Sequence, residues 1–461
     1  MTEPTKALRP IFEPYEYVKA AEAVAAFLES IVVPSGRGVY WPPQPEVDTS
    51  KKAASVHFYT GNAGQVYFLT QLYRATKNQA YLDRAREGVL FIIDEYPGEA
   101  PSIPGAGPLA EQIAIANIGG IAFALTEFSR IAPDPEVDAF ARKLISEIIG
   151  LAQEGEDGLF WTPLQSLIGE WGTILFLLYA AERYNEPAWR DIAIRAGDTV
   201  LALGEPVGDT LRFNGARKLF SSLGNGAEAN VELPNFEFGT AGASYTLARL
   251  YEASGETRFL DAAERGASYV RSLAVEKDGG ALVPYRLPDL ADVFYLGFCH
   301  GPAGTGRLYY KLYEITGKQE YREFLDKLVR GLELAGAPEN HSHGYWHVFS
   351  QCCGTAAQTE FFLGLWAAFG EKHHLELAQR AGRHVIGAAA GFTEQTELKW
   401  YQAFERVNPG KVTLDTGYLP GAAGIGAALL RLGLADEGRF EVLRFFDDPF
   451  PTAGPRQTSH A

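Results

Sequence analysis

One arrangement of polar and apolar positions returns seven times along the chain. A charged stretch with apolar residues at helical spacing predicts an amphipathic helix. A loop follows. A glycine pair of the form G-x-x-G then opens a second helical stretch, more apolar and richer in aromatics. The charged helices are predicted at 16–33, 80–96, 136–152, 188–203, 258–274, 320–335 and 374–389. The apolar helices are predicted at 65–75, 121–131, 173–184, 243–253, 305–315, 358–369 and 425–434. The second unit, Ile118-Gly119-Gly120, has lost the first glycine of its pair, and the sixth has Ala357 in place of the second.

Two helices recurring every 50 to 70 residues or so imply stacked helical hairpins. The apolar helices are expected inside and the charged helices outside. Glycine at the inner helix starts is expected to let neighbouring backbones converge. Seven pairs with no capping repeat favour an all-α fold, an α/α toroid of seven inner and seven outer helices; an open solenoid is the alternative. The links from inner to outer helices are short, as at 76–79, 185–187, 254–257 and 316–319. The links from outer to inner helices are long, as at 97–112, 205–235, 275–295 and 391–416. Antiparallel pairing then puts the long loops and the inner-helix N-termini on one rim, which is where function is expected. One domain is expected over 1–446, with a flexible tail over 447–461 that is rich in Pro, Gly, Ser and Thr.

Composition narrows the function. The net charge of −16 argues against nucleic acid and against anionic membrane surfaces. The first ten residues hold no apolar signal segment, and no uninterrupted apolar run is long enough to span a membrane. Three cysteines in 461 residues suit a reducing, cytoplasmic setting better than a disulfide framework.

Those cysteines carry the chemistry. Cys299 lies in Gly297-Phe298-Cys299-His300-Gly301-Pro302-Ala303-Gly304, and Cys352 and Cys353 lie in Ser350-Gln351-Cys352-Cys353-Gly354. Both stretches occupy the same point of adjacent repeats, so neighbouring helix starts can bring the three sulfurs together. Thiolate is a soft ligand that suits zinc, and a catalytic zinc has three protein ligands and one open position. A helix N-terminus favours thiolate over thiol. The plainer alternative is three buried thiols.

Over nearly its whole length the chain resembles the lanthionine synthetase C-like (LanC-like) cyclases. The specific signals are Phe298-Cys299-His300-Gly301-Pro302-Ala303-Gly304, similar to that family's W/F-C-x-G-x-x-G motif, and Cys352-Cys353-Gly354, similar to its C-H-G motif. The resemblance implies a toroid with zinc at the top of the central cavity, held here by Cys299, Cys352 and Cys353. Cys353 stands where the family usually has histidine. A third thiolate leaves a bound substrate thiolate less neutralised and more nucleophilic. The implied reaction adds a peptide cysteine thiol to dehydroalanine or dehydrobutyrine, and an acid protonates the resulting enolate. The product is a (methyl)lanthionine thioether ring in a lanthipeptide, so a dehydrated precursor peptide is the implied partner. No kinase or lyase signature precedes the repeats, so a separate dehydratase, or a kinase and lyase, is expected to act first.

One departure concerns the acid. The family has H-G-x-x-G in the fourth repeat, where this chain has Phe238-Gly239-Thr240-Ala241-Gly242. His300 is a candidate to take over the proton transfer because imidazole titrates near neutral pH; the alternative is a histidine hydrogen-bonded at a helix start. Glu237 and His347 are further candidates, Glu237 being otherwise a solvated loop residue. His341 and His343 form an H-x-H pair in the same loop as His347. Asp292 and Tyr295 are expected near the cavity mouth, and His373 and His374 on the surface. Two other functions are open. A non-catalytic zinc-binding scaffold that holds a peptide or a partner enzyme is favoured by Phe238. A sugar-processing barrel would need a carboxylate pair, and Glu170, Glu237 and Asp292 form no obvious one.

Overall fold

The computed structural model describes residues 16–47, 56–98, 114–215, 231–340, 348–391, 396–404, 408–440 and 445–455. Among these, fourteen helices alternate between an outer and an inner position. They are α1 (Tyr17–Ser30), α2 (Asn62–Thr76), α3 (Gln79–Glu95), α4 (Ala114–Ile131), α5 (Pro135–Gly150), α6 (Glu170–Tyr184) and α7 (Pro187–Ala202). There follow α8 (Thr240–Ser254), α9 (Thr257–Ser272), α10 (Pro302–Thr316), α11 (Gln319–Leu334), α12 (Thr355–Phe369), α13 (Lys372–Gly387) and α14 (Ala422–Asp436).

The even-numbered helices form the inner ring. On α12 every residue from Thr355 to Leu365 is buried, as a helix packed on all sides requires. The odd-numbered helices bury one stripe. On α11 this is Tyr321, Phe324, Leu325, Leu328, Val329 and Leu332, and charged residues fill the outer face. Each inner helix packs on the outer helix that follows it, and α14 packs on α1. The inner helices also touch in sequence around the circle, and α14 meets α2. The chain therefore forms a closed α/α toroid and not an open solenoid.

The short links make the hairpins. Five inner helices end on a left-handed residue, namely Lys77, Asn185, Gly255, Gly317 and Gly370. Each is followed at once by the N-cap of the next outer helix. This terminator reverses the chain in two residues, so the hairpin runs from an inner helix to the next outer one.

Two expectations about the glycines change. At Gly304 a Cβ would lie 1.9 Å from the carbonyl oxygen of Phe298, and at Gly424 it would lie 1.7 Å from that of Tyr418. The second glycine thus makes room for the helix's own preceding loop, where convergence of neighbouring helices was expected. In the second repeat α4 is already helical from Ala114, so Gly119 and Gly120 are interior residues and do not mark a helix start.

Among the described residues, five short antiparallel hairpins, which the helical pattern does not reveal, follow outer helices. They pair β1 (Val33–Ser35) with β2 (Gly38–Tyr40), β3 (Gln153–Glu154) with β4 (Leu159–Phe160), and β5 (Glu205–Val207) with β6 (Thr210–Arg212). They also pair β7 (Val275–Lys277) with β8 (Gly280–Leu282), and β9 (Tyr401–Gln402) with β10 (Thr413–Leu414). Asp278 and Gly279, both at positive φ, make the two-residue turn between β7 and β8. Indole N–H groups tie this layer to the outer helices: Trp41 donates to Leu28 O at 3.1 Å, Trp161 to Ile148 O at 2.7 Å and Trp400 to Val385 O at 2.8 Å.

The start of the segment expected to be loose is packed. Asp447 is 7% exposed and Phe450 is 3% exposed, both inside the ring. Residues 456–461 lie outside the described residues. No helix among the described residues is long and apolar enough to cross a membrane.

Candidate metal centre

The six inner helices other than α4 each begin after a coiled loop that ends on a glycine N-cap. The residue two places before that glycine takes part in a collar of backbone hydrogen bonds. Leu167 N donates to Glu237 O at 3.1 Å, and Glu237 N to Cys299 O at 2.8 Å. Cys299 N donates to Cys352 O at 3.2 Å, Cys352 N to Leu419 O at 3.0 Å, and Leu419 N to Tyr59 O at 3.2 Å. One repeat position thus links six units, and it is the position that holds Cys299 and Cys352. The next position holds Thr60, Ile168, Phe238, His300, Cys353 and Pro420. All of these residues line one cavity of about 570 Å³ at the top of the ring.

The three cysteines are free thiols and meet there. Cys299 Sγ lies 2.6 Å from Cys352 Sγ, and Cys353 Sγ lies 3.3 Å from Cys352 Sγ and 3.9 Å from Cys299 Sγ. Close packing fixes the approach: at Gly297 a Cβ would sit 2.2 Å from the carbonyl oxygen of Cys353. Tyr59 Oη donates to Cys352 Sγ at 3.4 Å. Cys352 is held well below the usual thiol range by hydrogen bonds from Cys299 and Cys353, with Tyr59 adding to them. Hydrogen bonding with Cys352 and Cys353, together with burial, pushes Cys299 well up. Three sulfurs within 4.8 Å of one another, with a cavity on their open side, form a donor set that can hold a metal ion. Their softness suits zinc.

The candidate acids separate. Glu237 is buried against the same cavity, and its Oε1 accepts from Ile168 N at 3.1 Å. Burial raises its carboxyl to about 8, and the charge of Cys352 adds to this. At neutral pH Glu237 therefore keeps its proton and is no solvated loop residue. His300 is 8% exposed and lies between Phe238, stacked at 5.9 Å, and Tyr285 at 5.0 Å. Burial pulls its imidazole down to about 4, so it is neutral at pH 7 where titration near neutrality was expected. Its Nδ1 has no hydrogen-bond partner among the described residues. His347, His341 and His343 lie outside the described residues.

The remaining candidates fall away from the cavity. Asp292 is exposed. Tyr295 is buried beside Tyr285, behind His300. Glu170 accepts from Trp161 N and Thr162 N, both at 3.0 Å, which makes it a structural clamp at the start of α6. The three acids considered for a sugar-processing site do not come together. His373 is exposed and pairs with Glu333 at 2.9 Å, whereas His374, expected on the surface, is only 3% exposed. Tyr59 is the residue that sequence reasoning missed. Alignment of Tyr59-Thr60-Gly61 with Cys299-His300-Gly301 and Cys352-Cys353-Gly354 would have found it.

Comparison with known proteins is consistent with this geometry. Residues 238–444 match the model of a family described as lanthionine synthetase C-like protein. Among solved structures the chain is similar to nisin cyclase, with 15% identity and a TM-score of 0.58 over 83% of this chain and 89% of that one. It is also similar to cellobiose 2-epimerase from Bacillus thermoamylovorans B4167, with 12% identity and a TM-score of 0.46 over 70% of this chain and 87% of that one. The corresponding values for D-mannose isomerase are 12%, 0.46, 72% and 88%. No curated protein sequence matches the chain. At 15% identity the likeness to nisin cyclase is one of fold.

Proposed function

We propose that this chain, in which residues 238–444 match the lanthionine synthetase C-like model, is a zinc-dependent cyclase that closes thioether rings in a dehydrated peptide. The observation that carries the reading is the convergence of Cys299, Cys352 and Cys353 on the open cavity. Zinc bound by these three sulfurs would lower the pKa of a peptide thiol at the remaining position and present it as thiolate.

The chain's own residues do the rest. Tyr59 and the collar hold Cys352 as the acceptor among the three sulfurs. The thiol proton of the peptide passes to solvent. A carbon–sulfur bond forms at the β-carbon of dehydroalanine or dehydrobutyrine, and the alkene electron pair moves toward the α-carbon and its carbonyl. Glu237, protonated at neutral pH, donates to the α-carbon and recovers a proton from solvent. The role first expected of His300 passes to Glu237 because the buried imidazole is neutral at pH 7 and lacks the acidic proton of an imidazolium. The apolar walls at Phe238, Phe298 and Leu419 keep bulk water from the reacting pair. The peptide must already contain a dehydrated residue, so a dehydration reaction precedes this one.

The test is a peptide with one dehydroalanine and one cysteine, incubated with the zinc-loaded protein. Loss of the alkylatable thiol with no change of mass supports the reading. The second reading, a zinc-binding scaffold, is favoured by Phe238, which stacks on His300 where the family resemblance implies a histidine. It expects the peptide to bind with its thiol left free.

A further inference from the structure

Below the collar the ring is occupied by the chain that follows α14. Phe440 packs on Trp366 near the far rim, at 5.6 Å. Phe445 stands inside the ring against Phe58 at 5.0 Å and Phe123 at 5.1 Å, and Phe446 against Phe123 at 5.4 Å and Phe176 at 5.9 Å. Tyr245 Oη donates to Asp447 O at 2.6 Å. Phe450 lies over Gly364, where a Cβ would come within 2.2 Å of its ring. At Gly454 a Cβ would again meet Phe440, at 2.2 Å. Residues 445–450 are therefore the tip of a loop whose ends meet at the far rim.

The tip is held from below and is open above. Asp447 and Phe450 are buried, whereas Phe445 and Phe446 are half-buried and line the cavity under the cysteines. Phe176 is six residues into α6, so this floor lies roughly 9 Å below the helix starts at 1.5 Å per residue. Charged side chains line the cavity around it: Arg307 lies 3.7 Å from Asp448, Arg431 is paired with Glu360, and Asp447 lies beside them. The two phenyl rings therefore set the depth of the floor and not its charge.

We infer that Phe445 and Phe446 determine specificity: they limit the peptide segment between the two reacting groups to side chains of small or moderate size. A segment carrying tryptophan would need depth that the tip occupies. This deepens the cyclase reading and rests on it for the identity of the ligand.

The experiment uses zinc-loaded full-length protein and dehydroalanine-X-X-cysteine peptides with X as alanine, leucine or tryptophan. Each is paired with an unreactive analogue that has alanine in place of dehydroalanine, and its binding is measured by calorimetry. Wild type should convert and bind the leucine peptide at least tenfold better than the tryptophan peptide. Phe446→Ala should raise the tryptophan-to-leucine ratio at least tenfold, with zinc content unchanged. Phe446→Leu should raise it less, and it supplies the answer if the alanine variant does not fold. Ratios unchanged in a folded, zinc-loaded variant would overturn the inference, as would equal binding of all the analogues by wild type. Ranked binding of the analogues with no conversion of any peptide would leave the floor in place and remove the cyclase reading instead.

Discussion

Tyr59 Oη donates to Cys352 Sγ at 3.4 Å, and the two residues are 293 positions apart in the chain. The contact reaches across Leu419, which lies between the two in the collar, and it ties the first repeat to the sixth. Groups that hydrogen-bond to a metal ligand orient it, and their loss typically costs about 10–100-fold in affinity. Tyr59→Phe should accordingly weaken zinc binding by about 10–100-fold in a chelator competition, with the fold intact. Unchanged affinity would mean that the phenol does not support the ligand.

Glu237→Gln keeps the acceptor for Ile168 N but cannot donate an acidic proton. The rate of cyclisation should fall by about 10²–10⁴, as expected for loss of a general acid, while zinc content stays the same. In wild type the donor form is lost as pH rises through about 8, so kcat should decline above that value. A variant that cyclises at the wild-type rate would remove Glu237 from the mechanism.

Glu170 gives a stability test with a definite sign. Burial lifts its carboxyl from 4.5 to about 7 against two backbone hydrogen bonds that lower it. Between those values the folded state binds more protons than the unfolded state, so stability falls as pH rises through this window. The loss is on the order of 3 kcal/mol at most. Glu170→Gln accepts the same N–H groups without the charge. Its melting temperature relative to wild type should rise between pH 5 and pH 8, and a constant difference would contradict this account.

Arg431 and Glu360 form a buried ion pair under the cavity, with side chains 10% and 6% exposed. Gln351 Nε2 also reaches Glu360, at 3.3 Å. Arg431→Met should cost about 3–5 kcal/mol in denaturant unfolding, because the buried carboxylate loses its cation. A cost below about 1 kcal/mol would place the pair in solvent.

The ring was legible because its signal repeats. The charged and apolar helices at 320–335 and 358–369 alternate in a way that permits little else, and three cysteines confined to two successive repeat positions marked the candidate site. Other features had no such redundancy. The start of α4 was hidden because Gly119-Gly120 imitates the boundary found in the other repeats. The hairpins are two or three residues per strand, too short for a period-two pattern, although Asp278-Gly279 was a readable turn. The Pro, Gly, Ser and Thr of residues 451–461 masked the meaning of Phe445, Phe446 and Phe450, whose burial depends on a ring formed by all the other repeats. The choice between the candidate acids depended on burial, which raises the Glu237 carboxyl and lowers the His300 imidazole once both are enclosed.

The central claim is a three-thiolate centre, and the most direct measurement is zinc content together with thiol counting on wild type and Cys353→Ala. The account predicts one equivalent of zinc per chain in wild type, thiols that resist titration until a chelator is added, and zinc lost or weakened in the variant. Wild type without zinc, with three thiols that titrate freely, would contradict it.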